Sequence, residues 1–119
     1  MPMGGLGTTD KRLKENRDEV RRVLRALLRS LRFVNDDGEG SRTLLVESFK
    51  MPSASAAAAY ELGVKIFGRD GVPTDNGLKN LLAATREELK LSSDIPPETV
   101  IDLSILKDAQ RDVGYGKVP

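Results

Sequence analysis

An all-α fold of about five helices is what this sequence predicts, and three observations carry that prediction. The aromatic residues are only five (Phe33, Phe49, Tyr60, Phe67, Tyr115) and Trp is absent, so a core has to be assembled from Leu, Val, Ile and Ala, a helix-rich palette. Apolar residues recur at intervals of 3, 4 and 7 over long stretches, the period of one helix face. Segments rich in Gly, Pro, Asn and Asp break these stretches at 35–40, 68–76 and 92–97, where turns are cheapest. With 119 residues there is room for one modest core. Residues 1–119 therefore read as a single helical domain with a flexible start over 1–8 and a flexible tail over 114–119.

The first helix is placed by Thr9 or Asp10 as its N-cap. Leu13 then opens an apolar stripe that continues through Val20, Val23, Leu24, Leu27, Leu28, Leu31 and Val34. The pattern weakens at Asn16-Arg17-Asp18, so two helices meet there, the second capped by Asn16 and favoured by Asp18 and Glu19 in its first turn. Asn35 to Gly40 breaks the chain, and Ser41 caps a short helix bearing Leu44, Leu45, Val46 and Phe49. Met51-Pro52 ends it, because proline disfavours helical geometry in the residue before it. Ser53 caps an Ala-dense helix from Ala54 to Phe67, expected to be the most enclosed of the set. Thr74 or Asp75 caps a helix over Gly77 to Leu89 with Leu78, Leu81, Leu82, Thr85 and Leu89 inward. Val100 to Leu103 reads as a short extended or turn-like piece, and a last helix runs from Ser104 to about Val113.

Composition removes much of the catalytic repertoire. The chain has no Cys and no His, which excludes thiolate metal sites, Cys nucleophiles and the commonest general base and zinc ligand. Acidic pairs at Asp36-Asp37, Glu87-Glu88 and Asp108/Asp112 are not brought together by any pattern. Asn35-Asp36-Asp37-Gly38-Glu39 lacks the spacing and closing Glu of a calcium loop, and Gly4-Gly5-Leu6-Gly7 lacks the Lys-Ser/Thr of a phosphate cradle. No catalytic residue, metal ligand or cofactor is expected, and the chain is read as a non-enzyme. No stretch approaches a membrane span, and the start lacks the basic and apolar regions of a signal peptide.

Charge is balanced overall at +1 but unevenly distributed. Lys11, Arg12, Lys14, Arg17, Arg21, Arg22, Arg25, Arg29 and Arg32 are nine of the nineteen cations. One reading is a phosphate-tracking surface on Arg21, Arg25, Arg29 and Arg32. The plainer one is a solvated face opposite the Leu/Val stripe, with Asp18 and Glu19 pairing to Arg22 or Arg25. The plainer reading is preferred, so a nucleic-acid partner is not expected.

The order of segments carries a resemblance. Gly7-Thr8-Thr9-Asp10-Lys11-Arg12-Leu13-Lys14-Glu15-Asn16 is followed by Val20, Arg22, Leu24, Arg25, Ala26, Leu28, Arg29, Leu31 and Phe33, then by Phe67-Gly68-Arg69-Asp70-Gly71-Val72-Pro73-Thr74, Gly77-Leu78-Lys79-Asn80-Leu81-Leu82 and Ile95-Pro96-Pro97-Glu98-Thr99-Val100-Ile101-Asp102-Leu103-Ser104. In this order the motifs resemble the C-terminal segment of ABC-transporter solute-binding proteins of the nitrate/sulfonate/taurine family. Arg17 stands where that family usually has Pro, and 35–41 departs from its pattern.

The resemblance implies a fragment of a type II periplasmic-binding-protein fold, in which two α/β lobes hold the ligand between them. It implies a role in capture of a small solute and delivery to an ABC permease, without a complete ligand cleft and without catalysis. No ligand-contacting residue is carried over. By resemblance the compartment is the periplasm; as written, without a signal peptide, the chain is expected in the cytoplasm. Helices that normally cover a sheet would leave apolar faces such as Leu24/Leu28/Leu31 or Ala54 to Phe67 bare. Partners are therefore the missing N-terminal lobe, the permease or, for the isolated chain, further copies of itself. The alternative is a small helical protein-interaction or nucleic-acid-binding module using 11–32.

Overall fold

The computed structural model describes residues 4–115; the outer parts of the expected flexible start and tail lie outside the described residues. Six α-helices follow in order: α1 Asp10–Glu15, α2 Arg17–Asp36, α3 Gly38–Ser48, α4 Ser53–Gly63, α5 Asp75–Glu88 and α6 Ser104–Asp112, with a 3-10 turn at Pro97–Thr99 before the last. No strand occurs among the described residues, and the expected all-α class with about five substantial helices is what forms.

Local chemistry fixes most of the boundaries. Thr9 accepts from the Arg12 amide at 3.2 Å and Thr74 from the Gly77 amide at 3.0 Å, each satisfying one orphan donor of a first turn. The kink at Asn16 divides α1 from α2 without a side-chain cap. The break expected over 35–40 shrinks to one residue, since Asp37 accepts from the Gly40 amide at 2.7 Å and starts α3 immediately. Ser41, expected as that cap, sits inside α3, buried, donating to the Asp37 carbonyl at 2.7 Å. Ser53 is likewise the first residue of α4 and not its cap, the N-cap position falling to Pro52. The Ala-dense helix ends at Gly63, short of Phe67.

Both α3 and α5 are followed by a lysine in left-handed geometry, Lys50 (φ 56°) and Lys90 (φ 53°). At the second, the Lys90 amide donates to Glu87 O at 3.1 Å and the Leu91 amide to Arg86 O at 3.0 Å. This is the paired reverse-bonded stop usually built on glycine.

The core is small and off-centre. Leu28 is fully buried, and around it lie Leu106 and Ala109 of α6, with Leu24, Leu103, Val113 and Tyr115 packed on the rim. Ile105 and Ala56 complete the buried apolar residues among those described. The most enclosed helix is thus α6 and not α4, of which only Ala56 is buried. The reason lies in neighbours: α6 is covered by α2 and by the 68–74 loop, whereas α4 packs on α3 and reaches α2 through the Tyr60 side chain. That loop approaches the core at Gly71, where a φ of +78° would strain any other residue and an added Cβ would come within 3.3 Å of Leu106 Cδ1. The α5 helix packs only against the 3-10 turn among the elements, and Leu89, expected inward, is exposed.

Because Leu28 has no spare contact surface and the core around it is so limited, Leu28→Ala is expected to cost about 3 kcal/mol of stability. The check is a urea titration followed by circular dichroism. An unchanged midpoint would place the stabilising contacts elsewhere.

Candidate functional site

The residues singled out in the sequence lie along α2, and the structure uses most of them to hold α6. The two helices run in the same sense: Arg17 Nη2 lies 3.5 Å from Ser104 Oγ at one end, and Arg32 Nη2 donates to the Val113 carbonyl at 2.7 Å at the other. Between these, Arg21 grips Asp112 with two charge-assisted hydrogen bonds, Nε to Oδ2 and Nη2 to Oδ1, both 2.6 Å. This is the fork geometry that makes arginine selective for carboxylates. Arg25 adds a longer contact to the same carboxylate at 3.5 Å. Arg32 also lies over the Tyr115 ring, 4.8 Å from its centroid, while the Tyr115 hydroxyl donates to Leu28 O at 3.2 Å. A further strap runs from Gln110 Nε2 to the Asp70 carbonyl at 2.7 Å.

The supposed solvated face is therefore a flank of the interface. Arg21, Arg25 and Arg32 straddle Leu28 on the helix surface, so the side that buries the core also brings these guanidinium groups to α6. Of the four, Arg29 and Arg32 are exposed and in no ion pair among the described residues; Arg32 meets Val113 and Tyr115, and Arg29 meets none of these partners. The expected local pairing holds in part: Arg22 and Asp18 approach to 3.3 Å one turn apart, but Glu19 pairs with Arg12 across the α1/α2 kink at 2.9 Å. The Leu24/Leu28/Leu31 face, expected bare, is covered at Leu28 by α6; the large apolar residues of α2 that stay exposed are Val23 (51%) and Phe33.

The acidic pairs are dispersed among structural tasks. Asp36 pairs with Arg69, Asp37 caps α3, Asp108 pairs with Arg111 and Asp112 meets Arg21. No group of three or more potential metal-ligating side chains assembles among the described residues. The two best-formed depressions among the described residues are open to solvent. One of about 150 Å³ lies between α2 and α6 beside Arg17, Arg21 and Asp108. The other, of about 360 Å³, runs between α3 and α4 past Arg42, Thr43 and Ala57.

Ionisation follows the same contacts. Hydrogen bonding from Arg21 holds the Asp112 carboxyl below its ordinary value of 3.8, against some desolvation and with help from the charges of Arg21, Arg25 and Arg111. The partner guanidinium of Arg21 is raised by the same bonds. Asp102 is lowered by the Ser104 hydroxyl and then by the Ser104 amide, both of which donate to its Oδ1 just ahead of α6.

Asp112 and Tyr115 are partners of the basic helix that the sequence did not connect to it. Arg21 and Asp112 are 91 positions apart, and nothing local couples them. Comparison of the chain with protein-family models, with curated proteins and with solved structures finds no match.

Both lowered carboxylates stabilise the fold above the unfolded value of 3.8, and that stabilisation is lost as pH falls through their folded values. The thermal midpoint is expected to be level around neutrality and to drop below about pH 4. Asp112→Asn should start lower at pH 7 and fall less steeply on acidification. A variant that tracks the wild-type acid slope would remove Asp112 from this account.

Proposed function

We propose that this chain is a non-catalytic helical part of the solute-binding component of an ABC importer for a small solute of the nitrate, sulfonate or taurine kind, and that it acts only in association. One observation carries the need for association. The chain exposes 9027 Å² of surface, where a compact monomer of 13.0 kDa exposes about 6,300 Å². Its radius of gyration is 16.9 Å, against about 13.5 Å for a compact domain of this length. Large apolar side chains such as Phe49, Leu62, Ile66 and Leu89 remain in solvent, more than a stable monomer ordinarily leaves uncovered.

The lineage is supported by the collinear motifs over residues 5–113 and by where they fall. The Gly7 to Asn16 phrase spans a capped helix start and its kink, the Gly77 to Leu82 phrase lies in α5, and the Ile95 to Ser104 phrase leads through the 3-10 turn into α6. By that lineage the working compartment is the periplasm, and the covering partners are the α/β lobe, the permease or, for the isolated chain, another copy. No helix among the described residues is long and apolar enough to cross a membrane. No ligand residue is assigned, since both depressions are open, and in the charged one beside Arg17, Arg21 and Asp108 the Arg21 guanidinium is already bound to Asp112.

The nucleic-acid reading draws less support. Arg21, Arg25 and Arg32 are committed to Asp112, Val113 and Tyr115, which leaves too few free cations on that face to follow a phosphate backbone. Fluorescence anisotropy with labelled duplex DNA and single-stranded RNA at low salt is expected to show no saturable binding. A steep loss of affinity with salt, the mark of released counterions, would overturn the preferred reading in favour of this one.

Association itself is checked by light scattering across a concentration series. The expected result is a mass at or above about twice the 13.0 kDa of one chain under ordinary buffer conditions. A monodisperse monomer at all concentrations would sink the proposal for the isolated chain.

A further inference from the structure

Two surfaces of the chain carry charges of opposite sign that the fold leaves largely uncompensated. The first is the groove of about 360 Å³ between α3 and α4. It is apolar at Val46 and Ala57, both half-buried, and is lined from α3 by Glu39 and Glu47. These two carboxylates are exposed and in no ion pair among the described residues. The cation beside them, Arg42, is engaged over the Tyr60 ring, 5.3 Å from its centroid. The second surface is the outer face of α2. Arg22, Ala26, Arg29 and Phe33 follow one another at intervals of 4, 3 and 4 residues, and all are exposed; this is the spacing of one helix face. Arg29 has no ion pair, and Arg22 meets only Asp18, at 3.3 Å in an exposed pair of the kind that contributes little.

Resting on the association reading above, we propose that the α3/α4 groove is filled by α2 of a second copy of the chain, with Arg22 and Arg29 against Glu39 and Glu47. Sign selects this occupant. Two carboxylates beside an apolar floor repel a phosphate backbone or an acidic segment and attract a basic amphipathic helix, and α2 is the most basic helix of the chain. Spacing agrees as well. Seven residues of helix set the two arginine positions about 10 Å apart, and eight set the two glutamate positions about 12 Å apart, a difference that side chains of this length absorb. Between the charged positions, Ala26 is small enough to let the helix approach the Val46/Ala57 floor, and Phe33 adds apolar area one turn beyond Arg29. The contact costs the fold nothing, because Arg21, Arg25 and Arg32 hold α6 on the other flank of α2.

The test is a charge swap between the two surfaces, read by light scattering. The double variant Arg22→Glu/Arg29→Glu and the double variant Glu39→Lys/Glu47→Lys each set like charges against one another, and each is expected to raise the dissociation constant at least about 100-fold. Mixed in equal amounts, the two should associate again, one to one, because the acidic α2 of the first meets the lysine-lined groove of the second while the remaining pair of surfaces is wild type. Circular dichroism establishes that both keep wild-type helix content; if either does not, Arg22→Gln/Arg29→Gln and Glu39→Gln/Glu47→Gln replace them, each expected to weaken association at least about 10-fold. Wild-type association should also weaken in about 1 M NaCl, where charges are screened beyond about 3 Å. Association indifferent to the substitutions overturns the α2/groove contact and leaves the association reading standing. Reversed variants that fold and dissociate but do not associate when mixed overturn the pairing of these two surfaces. A wild-type monomer at all concentrations overturns both this inference and the association reading.

Discussion

Seating α6 on α2 over Leu28 is the constraint from which the rest of the arrangement follows. The contact joins positions 91 residues apart, and closing a loop of that length costs about 4 kcal/mol in its length-dependent part alone. Solvent-facing ion pairs return little of this. Burial of Leu28 and Leu106, at roughly 2 kcal/mol each, offsets it, with Ile105 and Ala109 adding to the balance. The Arg21/Asp112 fork and the Arg32 contacts with Val113 and Tyr115 set the register in which those apolar side chains meet. Hydrophobic burial supplies the energy here and the arginines supply the alignment.

Away from this contact the elements are held by short-range devices. The α3/α4 pair is tied to α2 by the Tyr60 hydroxyl donating to Val34 O at 2.7 Å, with Gly38 leaving room for the Tyr60 ring. The α5 helix is completed by its Thr74 cap, its Lys90 stop and an Arg86/Asp94 pair at 2.6 Å, and touches little else. A chain built in this way keeps its helices without burying their outer faces. The exposed Val23, Phe49, Leu62 and Ile66 are the direct result.

Helix identity and most helix starts were legible because their causes are local. Thr9, Thr74 and the approach to Ser104 announce themselves by a cap residue ahead of a periodic run. The misreadings share a cause as well. At 35–40 a run of Gly and Asp looks like a loop by composition, yet one Asp in the right place converts it into a helix start, and composition does not distinguish the two. Ala54 to Phe67 looked enclosed because alanine is usually buried; in the fold only Ala56 finds a neighbour close enough. The basic run was assigned to solvent as a whole, whereas Arg21, Arg25 and Arg32 of it flank a helix contact.

By itself the sequence determined the all-α class, the order of the helices, the caps at Thr9 and Thr74 and the amphipathic stripe of α2, since each depends on residues within a turn or two of one another. Only the tertiary structure decided which part of that stripe is covered, that Arg21, Arg25 and Arg32 serve α6, that Tyr115 is anchored beneath Arg32, and that α4 faces solvent. Those outcomes depend on which distant segments meet. That choice is made by the summed burial of a few side chains such as Leu28 and Leu106, a quantity that no local pattern of residues encodes.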